Sequence, residues 1–196
     1  GSNNFETCDF TVEVVDTAKP NSITCGAQAN SAGVAASTEE AVSSDGTAVV
    51  YWSVTSATDL GYAANTLTIS YADSNGTAVT SGGDSFAIAE HTITAKALDG
   101  SNNFETCTFT VEVVDTSKPN SITCGEQVDA NGAAIASVEA VSSDGAAVVY
   151  WTATSATDVV TAANALTISY DAGGAVASGD SFSIAEHTVT AKATDG

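Results

Sequence analysis

The chain has 196 residues, with no Met, no Arg, four Lys and 24 Asp or Glu, for a net charge of −20. That balance excludes nucleic acid as a partner, because phosphate binding needs clustered Lys and Arg; it disfavours anionic membrane surfaces and favours solubility and cation binding. No run of 18 apolar residues is present, so no membrane-spanning helix is encoded, and with neither a visible secretory signal nor an initiator Met the chain reads as a fragment or a processed product.

The first element is FETCDFTVEVV, a strand by its alternation, with Cys8, Phe10, Val12 and Val14 on one face. Burying each large apolar side chain contributes about 1.5–3 kcal/mol, so this stripe calls for a sheet to cover it. The linker VVDTAKP follows, stiffened by Pro20, which biases Lys19 to extended backbone. The Ala-rich residues 27–41 are compatible with a helical turn, although Gly33 and the Ser/Thr content favour a loop or an edge strand. In AVVYWSV the inward set is Ala48, Val50, Trp52 and Val54; in TLTISY it is Leu67, Ile69 and Tyr71. Asn75-Gly76-Thr77, in a Gly- and Ser-rich loop, is a candidate N-glycosylation sequon. HTITAKAL turns Ile93, Ala95 and Ala97 inward and Lys96 outward. CTFTVEVV turns Cys107, Phe109, Val111 and Val113 inward.

From Gly100 the chain begins again. Residues 100–125 match residues 1–26 at 24 of 26 positions, only Asp9/Thr108 and Ala18/Ser117 differing. The offset is 99 until the loop 71–86 shortens to 170–182, where it becomes 96. A period near 100 residues fits one domain per repeat, and about seven short strands per hundred residues fit an immunoglobulin-like sandwich. The expected fold is therefore all-β, a tandem of immunoglobulin-like β-sandwiches. The four Cys fall two per repeat with no CxxC pair, which argues against zinc and for disulfides in an oxidising compartment. His91 and His187 follow Glu90 and Glu186, but no G-x-S-x-G elbow accompanies them, so they read as strand-start residues and no catalytic site is expected. Trp52 and Trp151 face inward as core residues rather than as sugar platforms.

The runs YWSVTSATD and GDSFAIAEHTITAKALDGSNNFETCTFTVEVVDTSKPNSITC resemble the hyalin repeat (HYR) module. Trp52, Ala57 and Asp59 match its first block; Phe86, Ile93, Ala97 and Asp99 its second; Cys107, Phe109, Val111, Val113 and Asp115 its third; and Cys124 its fourth. Thr55 stands where the family has Pro, the F-P-x-G turn is Phe86-Ala87-Ile88-Ala89, and residues 26–46 are longer than usual. The resemblance implies an extracellular, immunoglobulin-like module of matrix and adhesion proteins, without catalytic residues. It also sets a register: residues 17–115 form a complete domain, residues 1–16 are the last strand of a preceding repeat, and residues 116–196 form a second domain lacking its last strand. Asp195-Gly196 reads into Gly1-Ser2 as Asp99-Gly100 reads into Ser101, so the chain is expected to be a window on a longer periodic array; strand donation between separate chains is the alternative.

In that register Cys25 and Cys107 lie on the first and last strands of the complete domain and are expected to pair. Cys8–Cys25 is disfavoured, because the strand from Cys8 to Asp16 spans roughly 26 Å at about 3.3 Å per residue, and disulfides need Cα atoms within about 7 Å. Cys8 and Cys124 are then left to pair across copies. Loops at the same pole should gather Asp16, Asp59 and Asp99 at one junction and Asp115, Asp158 and Asp195 at the next. Such oxygen-rich groups suit Ca²⁺; the competing reading is that each Asp caps its own turn or pairs with Lys19 or Lys118. The expected function is a structural component of an extracellular fibre or matrix, with copies of itself head to tail as partners and glycans on its surface. The alternative is a calcium-dependent adhesion or carbohydrate-binding ectodomain.

Overall fold

The computed structural model describes residues 2–63, 66–161 and 165–195, and they are all-β. The first repeat carries β1 (Asn21–Thr24), β2 (Gln28–Ala29), β3 (Glu39–Glu40), β4 (Thr47–Val49), β5 (Tyr51–Trp52), β6 (Ser56–Thr58), β7 (Thr68–Ala72), β8 (Ser85–Ala87), β9 (Ala89–Leu98) and β10 (Phe104–Val114). The second carries β11 (Asn120–Thr123), β12 (Gln127–Val128), β13 (Ala146–Val148), β14 (Tyr150–Trp151), β15 (Ser155–Thr157), β16 (Thr167–Asp171), β17 (Ser181–Ser183) and β18 (Thr190–Thr194). Among the described residues no helix is long and apolar enough to cross a membrane. Two compact units are distinguished: Gly1–Ser37, Val50–Asp84 and Glu90–Glu112 make the first; Thr38–Val49, Ser85–Ala89 and Val113–Gly196 make the second.

In the first unit, β1 pairs antiparallel with β6, β2 with β5, and β7 with β9, from Thr68↔Leu98 to Ala72↔Thr94. A register shift in β1 coincides with Ser22 at φ 47°, and its counterpart Ser121 in β11 repeats it at φ 48°. Alternation holds along β9 and β10: Ile93, Ala95, Ala97 and Val111 are buried while Thr92, Thr106, Thr108 and Thr110 are exposed. Three rings meet in this core. Trp52 lies 5.5 Å from Tyr71 and 6.0 Å from Phe109, and Tyr71 lies 6.4 Å from Phe109, in edge-on or tilted geometries. These arrangements suit the aromatic quadrupole. Gly26 makes room for them: a Cβ there would meet the Phe109 ring at 3.4 Å and overlap the Ser53 carbonyl.

One inward assignment is corrected. Val54 is 82 % exposed, and Thr55 is buried in its place. The strand breaks after Trp52 and resumes at Ser56, and the break shifts the side-chain phase by one. Thr55 then satisfies two backbone needs. Its hydroxyl accepts from the Gly26 N–H (3.0 Å), and its own N–H donates to the Tyr71 hydroxyl (2.9 Å). The Pro that the family pattern places here has no N–H and could not make the second bond.

β10 continues into the second unit, where Val113↔Glu39 and Val114↔Glu40 pair it in parallel with β3; the strand order of that sheet is β3-β10-β9-β7. Residues 27–41 thus hold a turn and an edge strand. Glu40 also clamps the linker. Its carboxylate accepts from Thr116 N–H (2.8 Å) and hydroxyl (2.8 Å) and from Ser117 N–H (3.1 Å) and hydroxyl (3.1 Å). The Thr116 backbone N–H is the largest of the effects that hold the Glu40 carboxyl below its ordinary range. A lowered folded value means the clamp contributes above the unfolded pKa and is lost as pH falls through the folded one. Glu40→Gln should therefore speed amide exchange at Thr116 and Ser117 at neutral pH, and the parent should converge on the variant in acid.

Among the described residues, 138–139 form no strand where β3 stands in the first repeat, and β18 is half the length of β9. The core loosens accordingly. Val50, Trp52, Phe86 and Ile93 are buried, whereas their counterparts Val149, Trp151, Phe182 and Val189 are only half-buried.

Candidate functional site

Three turns bring carboxylates to one spot. Each Asp closes its own turn with Oδ1. Asp16 accepts from Ala18 N–H (2.9 Å), Asp59 from Gly61 (2.7 Å) and Tyr62 (3.1 Å), and Asp99 from Ser101 and Asn103 (both 2.8 Å). The turns also converge: one oxygen from each of Asp16, Asp59 and Asp99 lies within 4.8 Å of the others. Asn103 ties two of them together, its Nδ2 donating to the Asp16 carbonyl (3.2 Å) and to Asp99 Oδ2 (2.9 Å). The Oδ2 atoms of Asp16 and Asp59 are buried and accept no hydrogen bond from the described residues. Buried carboxylate oxygens without a donor need a countercharge. Lys19 does not supply it; its ammonium lies 3.8 Å from Glu105, both side chains exposed. Oxygens sharing one Ca²⁺ at about 2.3–2.6 Å lie within about 5 Å of each other, so the trio fits a partial shell for a hard cation.

The second trio is placed differently. Asp158 repeats the Asp59 turn, accepting from Val160 (2.9 Å) and Thr161 (2.8 Å), and its Oδ2 is likewise buried without a hydrogen bond. Asp115 accepts from Ser117 (3.1 Å). Among the described residues, Asp115, Asp158 and Asp195 do not form a group like the first. The turn that fixes Asp99 uses Ser101 and Asn103.

Cys25 and Cys107 form a disulfide with Cα atoms 5.9 Å apart, whereas Cys8 and Cys124 are free and exposed. Asn75 is exposed in its turn, where its N–H donates to Asp73 (2.9 Å). His187 packs on Phe182 at 5.1 Å between ring centroids, and its Nε2 is 2.9 Å from the Ser183 carbonyl.

The second repeat also carries a groove of about 620 Å³. Residues 136–140 and 182–187 line it, together with Cys124, Gly125, Trp151, Tyr170, Val189 and Ala191. Trp151 and Tyr170 keep the geometry of the first repeat, with centroids 5.4 Å apart. Meanwhile residues 2–16 form no strand, and Phe5, Phe10, Val12 and Val14 are all at least 79 % exposed.

Sequence reading placed the first trio but missed Asn103, Thr55 and Glu40. The repeated D-G-S-N-N string was the available sign for Asn103, since Asp and Asn so spaced build Asx turns. Glu40 had no sign, because its partners lie 76 residues away.

Neither curated proteins nor solved structures give a match to the chain. A family model does: HYR domain, over residues 15–113. That span contains the disulfide, the three-ring core and the gathered Asp trio, and the chain belongs to the HYR domain family.

Proposed function

We propose that this chain is a structural component of an extracellular fibre or matrix, built from tandem HYR modules joined head to tail. HYR membership and the disulfide agree with an extracellular, adhesion-type module. The observation that carries the fibre reading is identity at positions that folding does not fix. Thr106, Thr110 and Thr123 are exposed, yet each equals its counterpart, Thr7, Thr11 and Thr24. Recognition surfaces diversify, whereas a polymer repeats the same bead. Electron microscopy of the native material, labelled with antibody to this chain, should show label at regular intervals along extracellular filaments. Label confined to dispersed particles or to the cell interior would overturn the reading.

A second reading, calcium-dependent adhesion, is favoured by the buried Oδ2 atoms of Asp16 and Asp59. Calcium at about a hundredfold over its Kd should stabilise the fold by about 2.7 kcal/mol. Asp59→Asn should abolish that gain while leaving the melting temperature in chelator little changed. An identical melting curve with millimolar calcium and with chelator would leave the three Asp as turn caps only.

A further inference from the structure

We infer that Asn75 is the acceptor of one N-linked oligosaccharide, and that the turn carrying it holds the glycan in solvent. The inference rests on the extracellular reading, because a chain meets the sugar donor on its way out of the cell.

The same turn is built three times. Asp73 Oδ1 accepts from the N–H of Asn75 (2.9 Å) and of Thr77 (2.8 Å), the Gly76 N–H donates to the Asp73 carbonyl (3.0 Å), and the Asp73 N–H donates to the Thr77 carbonyl (2.9 Å). Asp129 repeats all four bonds with Asn131 (2.8 Å), Ala133 (2.9 Å), Gly132 (3.0 Å) and the Ala133 carbonyl (2.9 Å). Asn30 repeats them with Ala32 (3.0 Å), Val34 (3.0 Å), Gly33 (2.8 Å) and the Val34 carbonyl (2.8 Å). Gly33, Gly76 and Gly132 sit at φ 77°, 81° and 86°, the left-handed backbone that glycine takes without cost.

The three copies separate what the turn needs from what it does not. Ala32 serves at the tip as well as Asn75 or Asn131, and Val34 or Ala133 serves two residues on as well as Thr77. Folding therefore does not account for Asn75 and Thr77 occurring together. An N-glycosylating transferase reads that pair: an amide to accept the sugar and a hydroxyl two residues later. Of the 11 Asn in the chain, Asn75 alone begins an Asn-x-Ser/Thr triplet.

The site has room for a bulky group. Residues 74–78 are all exposed, and a Cβ built on Gly76 would meet nothing within 4 Å. The four bonds that close the turn run through backbone groups and the Asp73 carboxylate, so they survive substitution of the Asn75 amide nitrogen. The donor is a polyisoprenyl-pyrophosphate-linked oligosaccharide. Asn75 Nδ2 bonds to the anomeric carbon, the bond from that carbon to the phosphate oxygen breaks, its electron pair leaves with the pyrophosphate, and one amide proton is lost to base.

The test secretes the full chain behind a cleavable leader from cultured animal cells, which brings it to the donor wherever its native site is. The parent should run as one shifted band that peptide-N-glycosidase returns to the unglycosylated position. Thr77→Ala, a change the Asp129 turn already accommodates, should run unshifted. Ala133→Thr should gain a second glycan, at Asn131, because its turn has the same geometry. A parent secreted without a shift, a shift that survives Thr77→Ala, or an Ala133→Thr chain with a single glycan would overturn the inference. In native material, chain recovered outside the cell with Asn75 unmodified would overturn the inference and leave the extracellular reading standing. Chain recovered only inside the cell would overturn that reading, and fractionation tells the two failures apart.

Discussion

Phe109→Ala should cost about 3–5 kcal/mol of stability, whereas Phe10→Ala, the same residue in the same sequence context, should change the monomer by less than about 0.5 kcal/mol. Phe109 meets Trp52 and Tyr71 in the three-ring core, and truncating a core aromatic forfeits both its transfer free energy and its packing. Phe10 is 84 % exposed, and substitutions away from packed features are near neutral. Urea denaturation of the two variants beside the parent reads the contrast directly. Equal losses would mean that residues 5–15 are packed on their own chain.

The second large effect belongs to the disulfide. Cys25 and Cys107 are separated by 82 residues, and closing a loop of that length removes enough unfolded-state entropy for about 4.5 kcal/mol in the chain-entropy account. Removal of native disulfides from domains of this kind costs about 2–5 kcal/mol, and for about 100 residues each kcal/mol lowers Tm by about 4–8 °C. Cys25→Ser/Cys107→Ser should therefore melt on the order of 10–40 °C below the parent. Reduction of the parent should produce the same fall. A parent whose Tm is unchanged by reductant would contradict the pairing.

These effects rest on parts of the fold that are legible in the sequence. Alternation in HTITAKAL and CTFTVEVV placed Ile93, Ala95, Ala97, Val111 and Val113 inside, because a strand buried on one face must alternate. The pole shared by the linker and two loops placed Asp16, Asp59 and Asp99 together. What failed to show in sequence depends on geometry that local pattern does not encode. The break after Trp52 moves Thr55 inward, and no residue type marks it. The parallel pairing of Glu39 and Glu40 with β10 joins segments more than 70 residues apart.

The central claim is that strand and sandwich are out of step with the sequence repeat, so that FETC-x-FTVEVV closes the module before it. A disulfide map of the oxidised chain, by non-reducing peptide mass spectrometry, tests this most directly. The account predicts Cys25–Cys107, across the boundary between the two sequence repeats. A map showing Cys8–Cys25 and Cys107–Cys124, each pair within its own sequence repeat, would contradict it.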